Sequence, residues 1–286
     1  MPTQELSLVT KPTILPFLRW AGSKRAAVPI LSKFAPKEFG KYVEPFAGSA
    51  CLFFYLQPSK AILADLNQEL IETYRAIKRE PGAVARTLNH IPFGRQAYYE
   101  VREQQLKKSD HIRRAARFIY LNRFCFNGLY RTNSDGAFNV PFGAPRNATV
   151  PTRDHLKRCS NALSFARLYA GDFERIVTDN VSKGDFVYLD PPFFQTEGRV
   201  FRQYNSKPFM RQDLERLAKL LDHIDRVGAT FLLSYAKNDE AKDLFRGWYS
   251  RTISLQRNIS GFAGARGKAF EIIASNAPLS GRHKKR

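Results

Sequence analysis

Cysteine, acidic side chains and long apolar runs are all scarce in this sequence of 286 residues. The three cysteines, Cys51, Cys125 and Cys159, are far apart and form no C-x-x-C pair, so the sequence indicates neither a disulfide framework nor a structural zinc site. The five histidines form no H-x-x-x-H pattern, and we expect no metal ion. No window approaches the roughly 18 uninterrupted apolar residues of a membrane span, and no signal peptide is recognisable. We therefore expect a cytoplasmic protein without a membrane partner.

The shortage of acidic residues leaves a strong positive charge. Lys and Arg number 46 against 26 Asp and Glu, which gives a formal net charge of +20. On a globular chain such an excess points to a polyanionic partner, most often nucleic acid, although a solvated basic surface without a partner is the alternative. The 43% of hydrophobic residues can build a full core, either in one large α/β domain with an insertion or in two small domains.

Short apolar runs bounded by turn residues predict seven strands, at residues 42–46, 61–65, 163–170, 185–190, 230–235, 251–256 and 269–275. Helical patterns lie between several of them, and the clearest spans 210–228, where Leu214, Leu217 and Leu221 share one face and Gly228 ends the helix. This alternation predicts an α/β fold with a mostly parallel sheet covered by helices on both faces. The last two runs have no helix between them, which predicts an antiparallel hairpin at one edge.

The alternation fails from about residue 68 to residue 155, which indicates an insertion. Helical patterns at 67–80 and 95–124 lead into a segment rich in Gly, Asn and Pro at 127–147. Residues 102 to 131 carry eight basic and two acidic side chains, a local excess of +6. The insertion is therefore the predicted nucleic-acid surface.

The turn after the first predicted strand, "YVEPFAGSA", suits a nucleoside cofactor. Dinucleotide sites use G-x-G-x-x-G there so that a pyrophosphate can approach the helix, whereas this turn has one glycine, Gly48. A cofactor without phosphates needs only one tight turn, so S-adenosylmethionine fits better than NAD. Asp65 ends the next strand, 17 positions after Gly48, and could accept hydrogen bonds from both ribose hydroxyls. A purely structural turn with a strand-end Asp is the alternative.

The stretch "DFVYLDPPFF" places a carboxylate, two prolines and an aromatic ring after a buried strand. The Asp190 carboxylate and the Pro191 carbonyl could hold both hydrogens of an exocyclic base amine and stabilise the positive charge that develops during methylation. Pro191 and Pro192 fix φ and carry no N–H, and Phe193 supplies a face for the base. The alternative is a Pro-rich strand exit with a capping Asp. Methylation of a cytosine ring carbon typically needs a Pro-Cys pair, which is absent, so transfer to nitrogen is expected.

Six blocks in the same order resemble the Dam-type DNA N6-adenine methyltransferases (D12 class, alpha group). They are "FLRWAGSKR", "EPFAGSA", "ILADLN", "FIYLNRFCFNGLYRTNSDGAFNVPFG", "DFVYLDPPF" and "FEIIASN". The resemblance implies a Rossmann-like seven-stranded methyltransferase sheet, a helical target-recognition insertion with a β-hairpin, and S-adenosylmethionine as methyl donor. The catalytic domain would comprise residues 1–67 and 156–286, and the DNA target-recognition domain residues 68–155.

The resemblance also implies roles for individual residues. Carried over position by position, the cofactor site would comprise Trp20, Lys24, Phe46, Gly48, Ser49, Asp65, Asp172 and Asp190. Asp190, Pro191 and Phe193 would hold a flipped adenine in duplex DNA, with Phe193 in place of the commoner Tyr.

The implied DNA-binding residues are Arg19, Phe126, Asn127, Leu129, Arg131, Pro141 and Arg146. Phe126 resembles the aromatic residue that intercalates beside the flipped base, and Arg131 the hairpin arginine that reads a guanine. Family members specific for GATC tend to carry an Arg after "NVPFG", where this chain has Ala144 and then Arg146. The target is therefore GATC or another short sequence.

Other readings of the same residues stay open. Related D/N-P-P-Y/F motifs also serve RNA and protein-amide N-methyltransferases, and a catalytically dead DNA-binding module is a further alternative. The basic insertion favours a large nucleic acid, and the intact Gly48, Asp65 and Asp190 favour an active enzyme. We expect a monomer, and a cognate restriction endonuclease is a candidate partner.

Overall fold

A computed structural model describes residues 13–20, 22–144, 149–192, 209–236, 243–256 and 268–279. Its seven strands form one sheet of order β3-β2-β1-β4-β5-β7-β6. The strands are β1 (Tyr42–Glu44), β2 (Ala61–Asp65), β3 (Ala166–Ala170), β4 (Phe186–Leu189), β5 (Thr230–Ala236), β6 (Tyr249–Gln256) and β7 (Lys268–Ser275). The predicted fold class is confirmed, including the antiparallel strands at one edge.

Nine α-helices surround the sheet in the described part of the chain. They are α1 (Val28–Leu31), α2 (Cys51–Leu56), α3 (Gln68–Arg79), α4 (Pro81–Asn89), α5 (Arg95–Glu103), α6 (His111–Phe124), α7 (Arg153–Leu163), α8 (Phe173–Asn180) and α9 (Arg211–Arg226). Short 3₁₀ turns cover Lys24–Ala26, Ser32–Phe34, Phe126–Gly128 and Asp243–Phe245.

The order in which successive strands are added to the sheet reverses at β1. Val43 lies opposite Ile62 of β2 on one side and Val187 of β4 on the other, and both pairings are parallel. The crevice beyond the carboxyl ends of β1 and β4 is therefore the topological switch point, where open α/β sheets bind ligands. The Gly48 turn follows β1 and Asp190 follows β4, so the fold places these two predicted elements beside each other.

Alternating residues of the strands divide the core into two layers. Val43, Val187 and Leu233 pack with α8 and α9, whose buried leucines recur at the helical spacing. Tyr42, Tyr188 and Leu232 face the opposite side, where α2 and the helices of the predicted insertion pack. Fully burying one such side chain stabilises the fold by roughly 1.5–3 kcal/mol, so both layers are needed to hold the sheet.

Strand ends differ from the prediction by up to two residues at 42–46 and 251–256, and two other boundaries are wrong by more. The strand predicted at 163–170 begins at Ala166, because Leu163 is the last residue of α7 and packs there with Leu156 and Cys159 at the 3.6-residue period. The helical stretch predicted at 95–124 is two helices, since α5 ends at Glu103 and α6 begins at His111 after a turn. The turn is closed by the Asp110 N–H, which donates to the Lys107 carbonyl at 3.0 Å.

The predicted insertion shares its core with the sheet. Buried residues of α3, α4 and α6 belong to the same apolar cluster as those of β1 and β4. Side chains of α3 also cover the edge strand β3: Arg75 donates to the Leu168 carbonyl at 2.8 Å and Lys78 to the Ala166 carbonyl at 2.7 Å. These bonds satisfy carbonyls that an edge strand leaves unpaired. The domain boundaries at residues 67/68 and 155/156 stay a prediction.

Candidate active site and nucleic-acid interface

The turn after β1 is fastened to the end of β2 by Asp65. The Gly48 N–H donates to Asp65 Oδ2 at 3.0 Å, and the Asn67 N–H donates to Oδ1 at 2.9 Å. Burial raises the pKa of Asp65, while these backbone hydrogen bonds oppose the rise. The Leu66 N–H also bonds this carboxylate, and the lone pair that remains can accept a ribose hydroxyl.

Gly48 and Trp20 form one wall of this turn. Gly48 has φ +45°, and a Cβ atom there would lie 2.8 Å from Trp20 Cδ1, so only glycine fits without displacement. The Trp20 ring stacks on Tyr130 at 5.9 Å and on Phe118 at 6.5 Å between centroids. Trp20 therefore connects the Gly48 turn to the insertion that carries the predicted recognition residues.

Three other predicted cofactor residues lie around the turn. Ser49 is buried, and its hydroxyl donates to Ser23 Oγ at 3.2 Å, which joins the turn to the N-terminal segment. Phe46 packs on Phe173 at 5.0 Å between ring centroids. Asp172 caps the N-terminus of α8, with Oδ1 accepting from the Glu174 N–H at 3.0 Å.

Asp172 also belongs to an ion network on α8 and α9. Its Oδ1 pairs with Arg216 Nη2, and the same guanidinium binds Glu174 Oε2 at 2.7 Å and Asp213 Oδ1 at 3.0 Å. Arg216 Cζ lies 4.7 Å from the centroid of the Phe173 ring. Arg216 therefore fixes the orientation of the Asp172 carboxylate, and sequence reasoning missed this partner because it lies 44 residues away.

Asp190 lies just beyond β4 and is held by two donors on the same oxygen. Lys24 Nζ lies 2.8 Å from Asp190 Oδ1, and the Ser234 hydroxyl donates to Oδ1 at 3.0 Å. Tyr188 and Ser234 share a further hydroxyl–hydroxyl hydrogen bond of 3.0 Å. The structure therefore brings the predicted catalytic Asp190 and the predicted cofactor residue Lys24 into direct contact.

The neighbours of Asp190 differ in exposure. Pro191 is buried and Pro192 is half-buried, which suits a rigid exit from the strand. Phe193 lies outside the described residues. Lys24 is only 6% exposed, and its ammonium group is also 3.7 Å from Glu271 Oε1 of β7.

Glu271 and Glu44 are buried carboxyl groups that sequence reasoning did not select. Glu44 ends β1 and accepts from the Tyr42 hydroxyl at 2.9 Å, and burial raises the pKa of Glu44 well above its ordinary value. Glu271 lies opposite Ala236 at the carboxyl end of β5, because β7 runs antiparallel. A single acid inside each apolar run was the signal that could have identified them.

The recognition segment forms a hairpin-like loop after α6. Thr132 pairs with Phe138 and Cys125 with Phe142, both antiparallel, as the predicted β-hairpin requires. Asn133 closes the tip by accepting from the Asp135 N–H at 3.1 Å and the Ala137 N–H at 2.8 Å through its side chain.

The predicted base-reading residues lie on this loop. Arg131 Nε donates to Asn139 Oδ1 at 2.7 Å, so the guanidinium is held in one orientation with other N–H groups left to bind a base. Phe126 is 43% exposed although it is a large aromatic residue, and its N–H donates to the Pro141 carbonyl at 2.9 Å. Asn127 has φ +54°. Leu129 is half-buried and Pro141 exposed.

Arg19 belongs to an arginine cluster beside the hairpin. Its backbone N–H donates to Asn122 Oδ1 at 2.8 Å, and its guanidinium donates to the Arg123 carbonyl at 3.4 Å. Burial, together with the charges of Arg19 and Arg25, lowers the pKa of Arg123. None of the three arginines forms an ion pair with an acidic side chain within the described ranges. Such a cluster fits a phosphate backbone.

Some predicted features fall elsewhere or stay untested. Arg146 lies outside the described residues, whereas Ala144 is exposed with φ +44°.

All three cysteines are free and buried, and burial raises the pKa of both Cys125 and Cys159 to about 12, so neither is a ready thiolate nucleophile. Over the described ranges, no group of three or more His, Cys, Asp or Glu side chains could hold a metal ion. Those ranges also contain no helix with the length and apolarity to cross a membrane.

Comparison with known proteins identifies one family and several relatives over most of the chain. Residues 20–259 match the family described as D12 class N6 adenine-specific DNA methyltransferase. The chain is 34% identical over 275 residues to type II methyltransferase M1.LlaDCHI of Lactococcus lactis, covering 93% of this chain and 96% of the relative. It is 33% identical to type II methyltransferase M.MjaIII of Methanocaldococcus jannaschii, with coverages of 86% and 93%. It is 31% identical to the DNA adenine methylase of Escherichia coli, with coverages of 92% and 95%.

Proposed function

This chain belongs to the D12 class of N6 adenine-specific DNA methyltransferases, and from that premise we propose that it methylates a flipped adenine within a short sequence of duplex DNA. The proposed methyl donor is S-adenosylmethionine. The observation that carries the proposal is the position of Asp190 at the switch point of the sheet, beside a turn whose glycine is bound by Asp65.

The donor would be held by residues of the first two strands and the N-terminal segment. Asp65 would accept a ribose hydroxyl, Trp20, Phe46 and Gly48 would line the turn, and Asp172 would contact the adenine of the donor. Lys24 and Ser49 would complete the pocket. When bound, S-adenosylmethionine supplies an electrophilic methyl group; the chain's own task is to orient both reactants and to exclude water.

Asp190 would act on the target amine. The N6 lone pair is delocalised into the base, so it attacks a methyl group poorly until its hydrogens are held by acceptors. The Asp190 carboxylate and the Pro191 carbonyl would accept these hydrogens and stabilise the positive charge that forms on nitrogen. The methyl group would leave the sulfonium sulfur as it bonds to N6, which would release S-adenosylhomocysteine. The methylated amine would then pass one proton to solvent, and the product would be neutral N6-methyladenine. Phe193 would stack on the base, which leaves the duplex because its amine is unreachable inside the stack.

Recognition of the target would fall to the hairpin. Arg131, held by Asn139, would read a guanine through its remaining N–H groups, and Phe126 would fill the space left by the flipped base. Asn127, Leu129 and Pro141 would contact neighbouring bases, while Arg19 and Arg146 would bind the backbone. GATC is the first candidate sequence, and Ala144 is the position at which this chain departs from GATC-specific members of the family.

We further propose a monomer that acts in the cytoplasm. A cognate restriction endonuclease is a candidate companion, since two of the relatives are described as type II methyltransferases.

The test is to incubate the purified protein with labelled S-adenosylmethionine and unmethylated duplex DNA, and then to map every modified base by sequencing. N6-methyladenine confined to GATC supports the chemistry and the reading of the hairpin. N6-methyladenine in another short motif supports the proposed reaction and assigns the different target sequence to residues such as Ala144. Label in RNA or protein, with none in DNA, overturns the proposed substrate.

A further inference from the structure

Lys24 binds one of the two oxygens of the carboxylate that the proposed reaction needs. Its ammonium group lies 2.8 Å from Asp190 Oδ1, and the Ser234 hydroxyl donates to the same oxygen at 3.0 Å. A carboxylate oxygen offers about two lone-pair sites, so Oδ1 is filled in this arrangement. A target amine that requires this oxygen must displace one of the two donors.

We propose that Glu271 is a positioning residue that draws the Lys24 ammonium away from Asp190 when the target adenine enters. This inference rests on the proposed function and assigns it a further residue. Glu271 Oε1 is already 3.7 Å from Lys24 Nζ, so a movement of about 1 Å converts the loose pair into a close charge-assisted hydrogen bond. The lysine thus has two carboxylate positions, and the target amine decides which one it occupies.

Burial is the reason that a second carboxylate is needed. The side chains of Lys24 and Glu271 are each only 6% exposed. A buried ammonium that lost its carboxylate would be strongly unfavourable, because little water is available to replace it. Glu271 compensates the charge at the moment when Asp190 turns to the amine. Its place opposite Ala236 on the antiparallel strand β7 brings it to the catalytic end of the sheet.

Asp185 supplies a matched control in the same sheet. It is also 6% exposed and pairs with a lysine, since Lys41 Nζ lies 3.0 Å from its Oδ2. Asp185 precedes β4 and Asp190 follows β4. The Lys41–Asp185 pair therefore lies at the amino end of the strand, opposite to the end at which the reaction is proposed. Asp185→Asn therefore removes a buried lysine-paired charge without affecting Asp190.

The test compares Glu271→Gln, Glu271→Asp and Asp185→Asn with the wild-type full-length protein. Single-turnover methyl transfer is measured with S-adenosylmethionine and duplex DNA both saturating, after thermal unfolding has shown that each variant is folded. We expect Glu271→Gln to slow transfer at saturation by about tenfold or more, because Lys24 then obstructs the acceptor in the bound complex. Glu271→Asp should recover part of the rate, and Asp185→Asn should transfer at the wild-type rate.

A binding measurement separates positioning from general damage. Dissociation constants are compared for duplexes with adenine or with purine, which lacks the 6-amine, at the target position, with S-adenosylhomocysteine present. For each protein, the dissociation constant of the adenine duplex is divided by that of the purine duplex. The free energy of opening the base pair is a property of the DNA, so it cancels when these ratios are compared between proteins. Glu271→Gln should shift this ratio toward purine by at least about threefold, while Asp185→Asn should leave it unchanged.

The possible results are distinct. A Glu271→Gln protein with the wild-type transfer rate, or with the wild-type adenine-to-purine ratio, overturns the role of Glu271 alone. A wild-type protein that places no N6-methyl group in DNA overturns the proposed function instead.

Discussion

The proposed catalytic end of the sheet and the proposed recognition hairpin are built in opposite ways. At the sheet, polar groups sit in or near the core and bind one another, as Asp65 does with Gly48 and Lys24 with Asp190. On the hairpin, Phe126 is exposed, and local side-chain bonds such as Arg131 to Asn139 hold the backbone.

This contrast has a physical reason. Charge stabilisation in a transition state requires acceptors that are already fixed and shielded from water, which strand ends in a packed sheet provide. Reading a base requires side chains that reach an external duplex, which a loop on a rigid helical support provides. A side chain is therefore excluded at Gly48, where a Cβ atom would lie 2.8 Å from Trp20 Cδ1.

The largest expected effect is at the catalytic end. Asp190→Ala removes the acceptor for the target amine, and we expect the rate of methyl transfer to fall by about 10²–10³-fold or more. Duplex binding should stay mostly intact, because phosphate contacts elsewhere supply most of the affinity. Single-turnover rates and DNA dissociation constants measure these two effects, and a variant with the wild-type transfer rate would disprove the role of Asp190.

Arg131→Ala tests the hairpin by the same logic. Loss of a bidentate guanine contact should cost about 1–3 kcal/mol of discrimination at one base pair. The measurement is kcat/KM for duplexes that each carry a single substitution in the target sequence. If binding weakens equally on every duplex, Arg131 is a phosphate contact, and the hairpin does not read a base through this residue.

A pair of glycine substitutions measures the steric constraint of each region. Gly48→Ala introduces both a left-handed alanine, at φ +45°, and the contact with Trp20, whereas Gly136→Ala at the hairpin tip, with φ +78°, meets no atom within 4 Å. The conformational cost alone is about 1–2 kcal/mol. Denaturant unfolding should therefore show a larger loss for Gly48→Ala, and equal losses would disprove the constraint from Trp20.

The smallest expected effect concerns Glu44 and pH. Burial raises the pKa of Glu44, so above about pH 4.3 the unfolded chain loses this proton while the folded chain retains it. Stability contributed by the protonated group is therefore lost as pH rises, by up to about 1.4 kcal/mol per pH unit until the folded pKa is reached. Glu44→Gln should reduce the dependence of the free energy of unfolding on pH, measured by urea unfolding at a series of pH values upward from about 4.3. An unchanged slope would mean that Glu44 is ionised in the folded protein.

Strand and helix positions were largely readable from the sequence because burial imposes periods of two and 3.6 residues. The α9 pattern, with Leu214 and Leu217 on one face, was visible in this way. Boundaries failed where apolar residues suit either element, as at Leu163, since a local pattern does not say which neighbour covers a residue. The short linker between α5 and α6 was missed because its polar residues resemble a solvated helix face.

The sequence by itself determined which chemical groups are present and where the chain turns. The Gly48 turn, the strand-end Asp65 and the Asp190-Pro191-Pro192 exit were all legible, because turns and caps depend on neighbouring residues. Only the tertiary structure decided which distant groups meet. Lys24, Asp190, Ser234 and Glu271 come from four separate parts of the chain, and they converge because parallel strands end at one edge while β7 runs the other way. Pairing across the sheet has no local period, so it appears only when the chain is folded.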